Sequence, residues 1–203
     1  MQVGFYFDQT RCTGCYACIV ACKDWNDVDA GPASWVRVTT IEKGAYPNLF
    51  VTFLVTTCYH CVEPACVVAC PANAIIKREI DGIVVVNKDL CLGKDSCDMC
   101  FQACPYDVPQ FGAEENAKMQ KCHFCHDRLA ENKKPACVSA CPMRAIDAGL
   151  IEELRARYGD KVEAEGYVFS EKLMPSVVFR PKKDEAGLTV QRVDTTPSSL
   201  ITD

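Results

Sequence analysis

The chain has 203 residues, 22 basic and 27 acidic side chains, a net charge of −5 and a hydrophobic share of 49%. That length buries a core without covalent staples, which argues against a disulfide scaffold, and the modest charge suggests neither nucleic acid nor anionic lipid as a partner. Sixteen cysteines are the departure from ordinary composition, and no apolar run reaches the ~18 residues that a membrane span needs.

The segment Met1-Gln2-Val3-Gly4-Phe5 runs into the first cysteines with no basic stretch followed by an apolar one, so no secretory leader is expected. Cys12, Cys15, Cys18 and Cys22 then read C-x2-C-x2-C-x3-C. This is the bacterial ferredoxin spacing, in which a tight loop presents three sulfurs to one [4Fe-4S] cubane and the fourth cysteine points to a different one. Trp25 and Trp35 flank the acidic stretch Asp24 to Asp29 and are expected to pack over the first cluster or at a subunit contact. Leu49 to Val55, Leu-Phe-Val-Thr-Phe-Leu-Val, is the most apolar run; it is too short to span a bilayer and predicts a buried strand.

The second group, Cys58, Cys61, Cys66 and Cys70, lengthens the interval between its two outer doublets. After it, Ile75-Ile76 and Ile83-Val84-Val85-Val86 flank Asp81-Gly82, which predicts a hairpin ending just before the next group. The third group is Cys91, Cys97, Cys100 and Cys104, and the fourth is Cys122, Cys125, Cys137 and Cys141. Groups two, three and four end in Cys-Pro, whose fixed φ turns the chain away from the cluster it has left. Cys-Pro-x-x-Ala-Ile occurs twice, at Cys70 and Cys141, so the chain reads as internally duplicated. Leu150 to Tyr158 has helical spacing and stops before Gly159. Beyond Pro181 the residues turn polar without a core pattern, so an extended tail, draped over a partner or partly disordered, is expected.

Four groups of four thiolates amount to four cubanes. Structural zinc also uses paired C-x2-C doublets, but it has no use for the third cysteine of C-x2-C-x2-C or for the proline after the fourth. His60, His123 and His126 adjoin cluster cysteines. Cysteine supplies every expected ligand, so these histidines are expected to pack or to hydrogen-bond rather than to bind iron. Lys23, Lys94 and Lys121 also adjoin cluster cysteines and could raise a local potential, although surface lysines are usually only solvated. No P-loop, G-x-G-x-x-G or catalytic constellation is present in the sequence, so the expected role is conduction of single electrons without catalysis.

Longer motifs carry a resemblance. Cys12-Thr13-Gly14-Cys15 with Cys22-Lys23-Asp24, Cys58-Tyr59-His60-Cys61 with Glu63-Pro64-Ala65-Cys66, and Ala103-Cys104-Pro105-Tyr106 with Pro109-Gln110-Phe111 are three of them. Lys121-Cys122, Cys125-His126-Asp127-Arg128 and Lys134-Pro135-Ala136-Cys137 make the fourth. Together with Glu153-Leu154-Arg155 and Pro175 to Phe179, they resemble the iron–sulfur electron-transfer subunits of complex molybdoenzymes, of the type found as the B chain of dimethyl sulfoxide reductase and in polysulfide or nitrate reductases. The resemblance covers roughly residues 1 to 181.

It implies an α+β fold of two interleaved bacterial ferredoxin-like units with irregular loops and a C-terminal extension. One unit would comprise 1–57 with 105–149, the second 58–104, and 150–203 would supply a helix, a strand and a partner-contacting tail. By the same resemblance Cys12, Cys15, Cys18 and Cys141 hold one cluster, and Cys22, Cys122, Cys125 and Cys137 another. Cys58, Cys61, Cys66 and Cys104 hold a third, and Cys70, Cys91, Cys97 and Cys100 a fourth. The implied partners are a molybdopterin or tungstopterin catalytic subunit and a membrane quinone-reactive subunit. Such proteins are assembled in the cytoplasm and can be exported folded with the catalytic partner, peripheral to the membrane. A soluble polyferredoxin, or a subunit of a hydrogenase or carbon monoxide dehydrogenase, is the alternative.

The third group departs from that family. Cys91-Leu92-Gly93-Lys94-Asp95-Ser96-Cys97 is three residues longer than C-x2-C. Three outcomes stay open: a bulged loop that still returns Cys91 to iron, a three-thiolate [3Fe-4S] site, or an oxygen ligand from Asp95.

Overall fold

The first strand, β1 (Val3–Asp8), is buried at every position. It lies between β6 (Ile146–Leu150), antiparallel to it, and β7 (Val177–Arg180), parallel to it. Both faces are covered: Phe5 and Phe7 enter the main core with the cysteine loops, and Tyr6 packs with Ile151 and Leu154 of α6 (Ile151–Tyr158). A strand covered on both faces needs no hydrophobic alternation, which is why its sequence lacks it. The computed structural model describes residues 1–195.

Strand pairing and helix pairing bring distant cysteine groups together. Phe7 lies opposite Ile146, so the chain leaves β1 toward Cys12 beside the point where Cys141 leads into β6. Asp8 closes that exit by accepting hydrogen bonds from Thr10 N (2.8 Å) and Thr10 Oγ1 (2.6 Å). α1 (Ala17–Trp25), which carries Cys18 and Cys22, packs on α5 (Ala136–Ala140), which carries Cys137. The middle of the sequence repeats the scheme: β4 (Ile75–Lys77) and β5 (Val84–Val86) form the expected hairpin, Ile75 opposite Val86, which closes Cys70 on Cys91. α2 (Ala65–Val68) packs on α3 (Met99–Gln102). The fourth short helix, α4 (His126–Ala130), follows Cys125.

A second sheet has the order β3-β2-β8, from β2 (Arg37–Ala45), β3 (Asn48–Thr56) and β8 (Val190–Thr195). The apolar run at 49–55 is β3, but Phe50, Thr52 and Leu54 are buried while Leu49 is exposed, so it is a half-covered sheet strand rather than a fully buried one. α6 and β7 form where the spacing predicts the late helix and strand. The tail through Thr195 is extended but pairs with β2 of the same chain instead of lying free for a partner. The rest of the expected tail, 196–203, lies outside the described residues.

Candidate metal centres

Each cysteine loop opens with the same backbone turn. The second residue after the leading cysteine has a left-handed φ: Gly14 at 66°, His60 at 45°, Gly93 at 89° and Phe124 at 64°. At Gly14 a Cβ would lie 2.4 Å from the Phe53 ring, so glycine is required by space as well as by φ. His60 and Phe124 bear side chains in a conformation that bulky residues avoid, and both are fully buried, so core packing holds the turn. The Cys-Pro exits are alike too: Asn73 (49°), Asp107 (50°) and Arg144 (52°) are left-handed three residues after Cys70, Cys104 and Cys141. The turn swings the next amide onto the sulfur, Ala74 N to Cys70 Sγ and Ala145 N to Cys141 Sγ, each at 3.3 Å. Both alanines are 1% exposed, leaving no room for a larger residue, which accounts for the repeated Cys-Pro-x-x-Ala-Ile.

None of the sixteen cysteines forms a disulfide, and they converge in four sets. Cys12, Cys15, Cys18 and Cys141 line one void, and Cys70, Cys91, Cys97 and Cys100 line another. Mutual electrostatics mark the other two. Burial raises the Cys22 and Cys137 thiols, with Cys122 and Cys125 reinforcing both. Burial pushes Cys61 up to about 12, with Cys58, Cys104 and Cys66 adding to it. The end sets respond similarly: burial takes Cys18 to about 12 alongside Cys12, Cys141 and Cys15, and Cys100 to about 11 alongside Cys91, Cys97 and Cys70. Thiols in such surroundings would release their protons to solvent on binding iron, whose charge stabilises the thiolate. Soft sulfur donors in fours, with amides aimed at several sulfurs, suit iron–sulfur clusters.

The sets also adjoin one another in a fixed order. Cys18 of the first acts on Cys22 and Cys137 of the second, Cys58 of the third acts on Cys122 of the second, and Cys100 of the fourth acts on Cys66 of the third.

The long third loop begins with the shared turn at Gly93 and only then adds its extra residues. These dock on the segment at 116–118: Lys94 N donates to Ala117 O (2.9 Å), and Asn116 Nδ2 to Leu92 O (3.0 Å). Asp95 Oδ2 accepts from Asn116 N at 2.8 Å and is committed to this contact. Cys91 returns to the void it shares with Cys70, Cys97 and Cys100, its sulfur meeting Met119 N at 3.5 Å. Gly93→Ala would place a Cβ 2.5 Å from the Asn116 carbonyl at a φ of 89°. We expect a loss of about 1–3 kcal/mol and reduced iron occupancy at this site alone, read by thermal unfolding and iron content; an unchanged Tm and full iron would refute the docking.

The remaining residues differ from expectation in part. Trp25 and Trp35 sit beside the second set, not the first: Trp25 Nε1 donates to Asp127 Oδ2 (2.8 Å) with Arg128 over its ring, and Trp35 Nε1 donates to Gln120 Oε1 (3.0 Å). α1 carries Trp25 past Cys22 toward Cys125, a route that spacing alone does not reveal. His60 Nδ1 accepts Val84 N (2.9 Å), a backbone-pairing role, and His123 packs edge-on to Trp35. Lys94 is exposed and Lys23 reaches the Asp29 carbonyl. Lys121 is different: it is 3% exposed, and only the fold reveals it as buried.

A family model described as a 4Fe-4S dicluster domain matches residues 49–151. The B chain of anaerobic dimethyl sulfoxide reductase from Escherichia coli (strain K12) is 42% identical over 188 residues, covering 89% of each chain. This protein belongs to that B-chain family of dimethyl sulfoxide reductase iron–sulfur subunits. More distant relatives include the B subunit of sulfite dehydrogenase from Allochromatium vinosum, 37% identical over 71% of this chain and 67% of that one. The formate dehydrogenase-O iron-sulfur subunit of Escherichia coli (strain K12) is 33% identical over 79% of this chain and 57% of its own. As a member of the family the protein is a non-catalytic iron–sulfur electron-transfer subunit with [4Fe-4S] clusters, four by its cysteine count. Its fold is a ferredoxin-like mixture of helices and strands.

Proposed function

We propose that this chain is a four-cluster wire that carries single electrons between a molybdenum- or tungsten-pterin catalytic subunit and a second redox partner. The carrying observation is the interleaving of the cysteine groups: Cys141 shares a void with Cys12, Cys15 and Cys18, α1 carries Cys18 and Cys22 onto the helix that bears Cys137, and the β4–β5 hairpin brings Cys70 into the void of Cys91, Cys97 and Cys100. The ligands are, from one end, Cys12, Cys15, Cys18 and Cys141; then Cys22, Cys122, Cys125 and Cys137; then Cys58, Cys61, Cys66 and Cys104; and lastly Cys70, Cys91, Cys97 and Cys100. When bound, the clusters supply the one-electron chemistry. The protein's own residues position the sulfurs, exclude water through the surrounding core and aim N–H groups at Cys70, Cys91, Cys122 and Cys141. Asp95, held by Asn116, is not assigned as a ligand.

The repeated arrangement supports two nested ferredoxin-like units, 1–57 with 105–149 and 58–104, with 150–203 as an extension whose helix α6 and strand β7 brace the first. Among the described residues no helix is long and apolar enough to cross a membrane. As further parts of this proposal, a quinone-reactive membrane subunit is a separate partner, and this chain is peripheral to the bilayer, assembled in the cytoplasm and able to travel with the catalytic subunit. The relatives named as parts of reductases and dehydrogenases favour this over a free carrier or a hydrogenase subunit.

Elemental analysis of the complex, purified natively and anaerobically through this chain, tests the reading. About sixteen irons per copy, from four cubanes, with molybdenum or tungsten are expected. The same iron with nickel, or with no second metal, would overturn the assignment of partner.

A further inference from the structure

Lys121 is 3% exposed and sits where the second and third thiol sets meet. Its Nζ donates to Cys122 O (3.1 Å), to Val84 O and to Cys58 Sγ (3.5 Å). A lysine ammonium has three N–H groups, one for each of these acceptors. A buried ammonium needs an opposite charge nearby. The ion pairs among the described residues involve Lys43, Arg78, Lys133, Lys134, Arg157 and Arg180, and none involves Lys121. Nζ does contact the sulfur of Cys58, a member of the third thiol set. Lys121 also opposes the effect of burial on Cys66, another member of that set.

We propose that Lys121 is a built-in counter-charge that raises the reduction potential of the cluster held by Cys58, Cys61, Cys66 and Cys104, making the third position of the wire an electron-holding step. This rests on the ligand assignment above. The cluster's sulfurs and thiolates carry excess negative charge, and one added electron increases it, so a fixed positive charge stabilises the reduced form more than the oxidised one. Each transfer oxidises one cluster by one electron as it reduces its neighbour, so no further reactant is consumed. Lys121 is a positioning residue here, acting through Cys58 and the space beside it.

The test is a potentiometric titration of the intact complex followed by electron paramagnetic resonance. The third cluster's signal is identified as the one abolished by Cys61→Ser. In Lys121→Met the reduction equilibrium of that cluster is expected to weaken about tenfold, a fall of ~59 mV for a one-electron couple, with a smaller fall at the second cluster and the two end midpoints unchanged. Lys121→Arg is expected to restore it. Should the methionine variant lose iron, Lys121→Gln, which keeps N–H donors but no charge, makes the same measurement. An unchanged third midpoint at full iron, or an equal fall at all four clusters, overturns the proposal. Failure of the wild-type protein to show four clusters would instead overturn the ligand assignment, and the two failures are distinguished before any variant is made.

Discussion

Replacing Cys22 by serine is expected to remove iron from the set completed by Cys122, Cys125 and Cys137, while the set around Cys12 stays loaded. Proximity in sequence argues the opposite, because Cys22 belongs to the same motif as Cys12, Cys15 and Cys18. The helix decides it. Cys18 and Cys22 are four residues apart on α1 and share a face, but just over one turn separates them, about 6 Å along the axis. Cys18 reaches the void at the start of the helix, and Cys22 reaches α5 and Cys137 at its end. Asn26 Nδ2 caps the arrangement, contacting Cys22 O at 2.8 Å and Cys22 Sγ at 3.7 Å. Iron content should fall by about four of sixteen atoms, with one of four reduced-state signals missing. Loss confined to the Cys12 set would overturn the interleaving.

The second large effect is expected from Cys91→Ser. Docking of residues 92–95 on 116–117 returns this cysteine to the last position of the wire despite the three extra residues. Serine keeps the loop's shape but supplies a hard oxygen in place of a soft thiolate. The fourth cluster should lose iron or change its signal, and the other three should be unaffected. Electron flow through the far end should stop, while reduction of the remaining clusters from the other end proceeds. A variant with wild-type iron and a wild-type reduced spectrum would show that Cys91 is not a ligand.

The parts of this protein that are legible in its sequence are the ones governed by local chemistry. Cysteine spacing, the Cys-Pro exits, the hairpin from Ile75 to Val86 and the helix ending at Gly159 each follow from a few adjacent residues, and each is present. The parts that are not legible depend on long-range closure. β8 reads as polar tail, and its strand character comes from pairing with β2 some 150 residues earlier. Trp25 and Trp35 lie one cluster away from where sequence distance puts them, because α1 carries Trp25 toward Asp127 and the loop after it carries Trp35 onto Gln120 and His123. Lys121 looks like any surface lysine beside a motif, and its burial comes from Val84 and Cys58 closing over it from other segments.

The central strand β1 waits for partners made much later. Its neighbours β6 and β7 begin at Ile146 and Val177, whereas the cysteines of the third and fourth sets all lie between Cys58 and Cys104. On a ribosome, where the N-terminal end emerges first, the inner pair of sites is complete long before Cys141 leaves the exit tunnel. Under the proposed ligand assignment, the eight cysteines of the third and fourth sets are thus all synthesised before Cys141, and a chain that stalls before β6 lacks the strand that pairs with β1 beside Cys12.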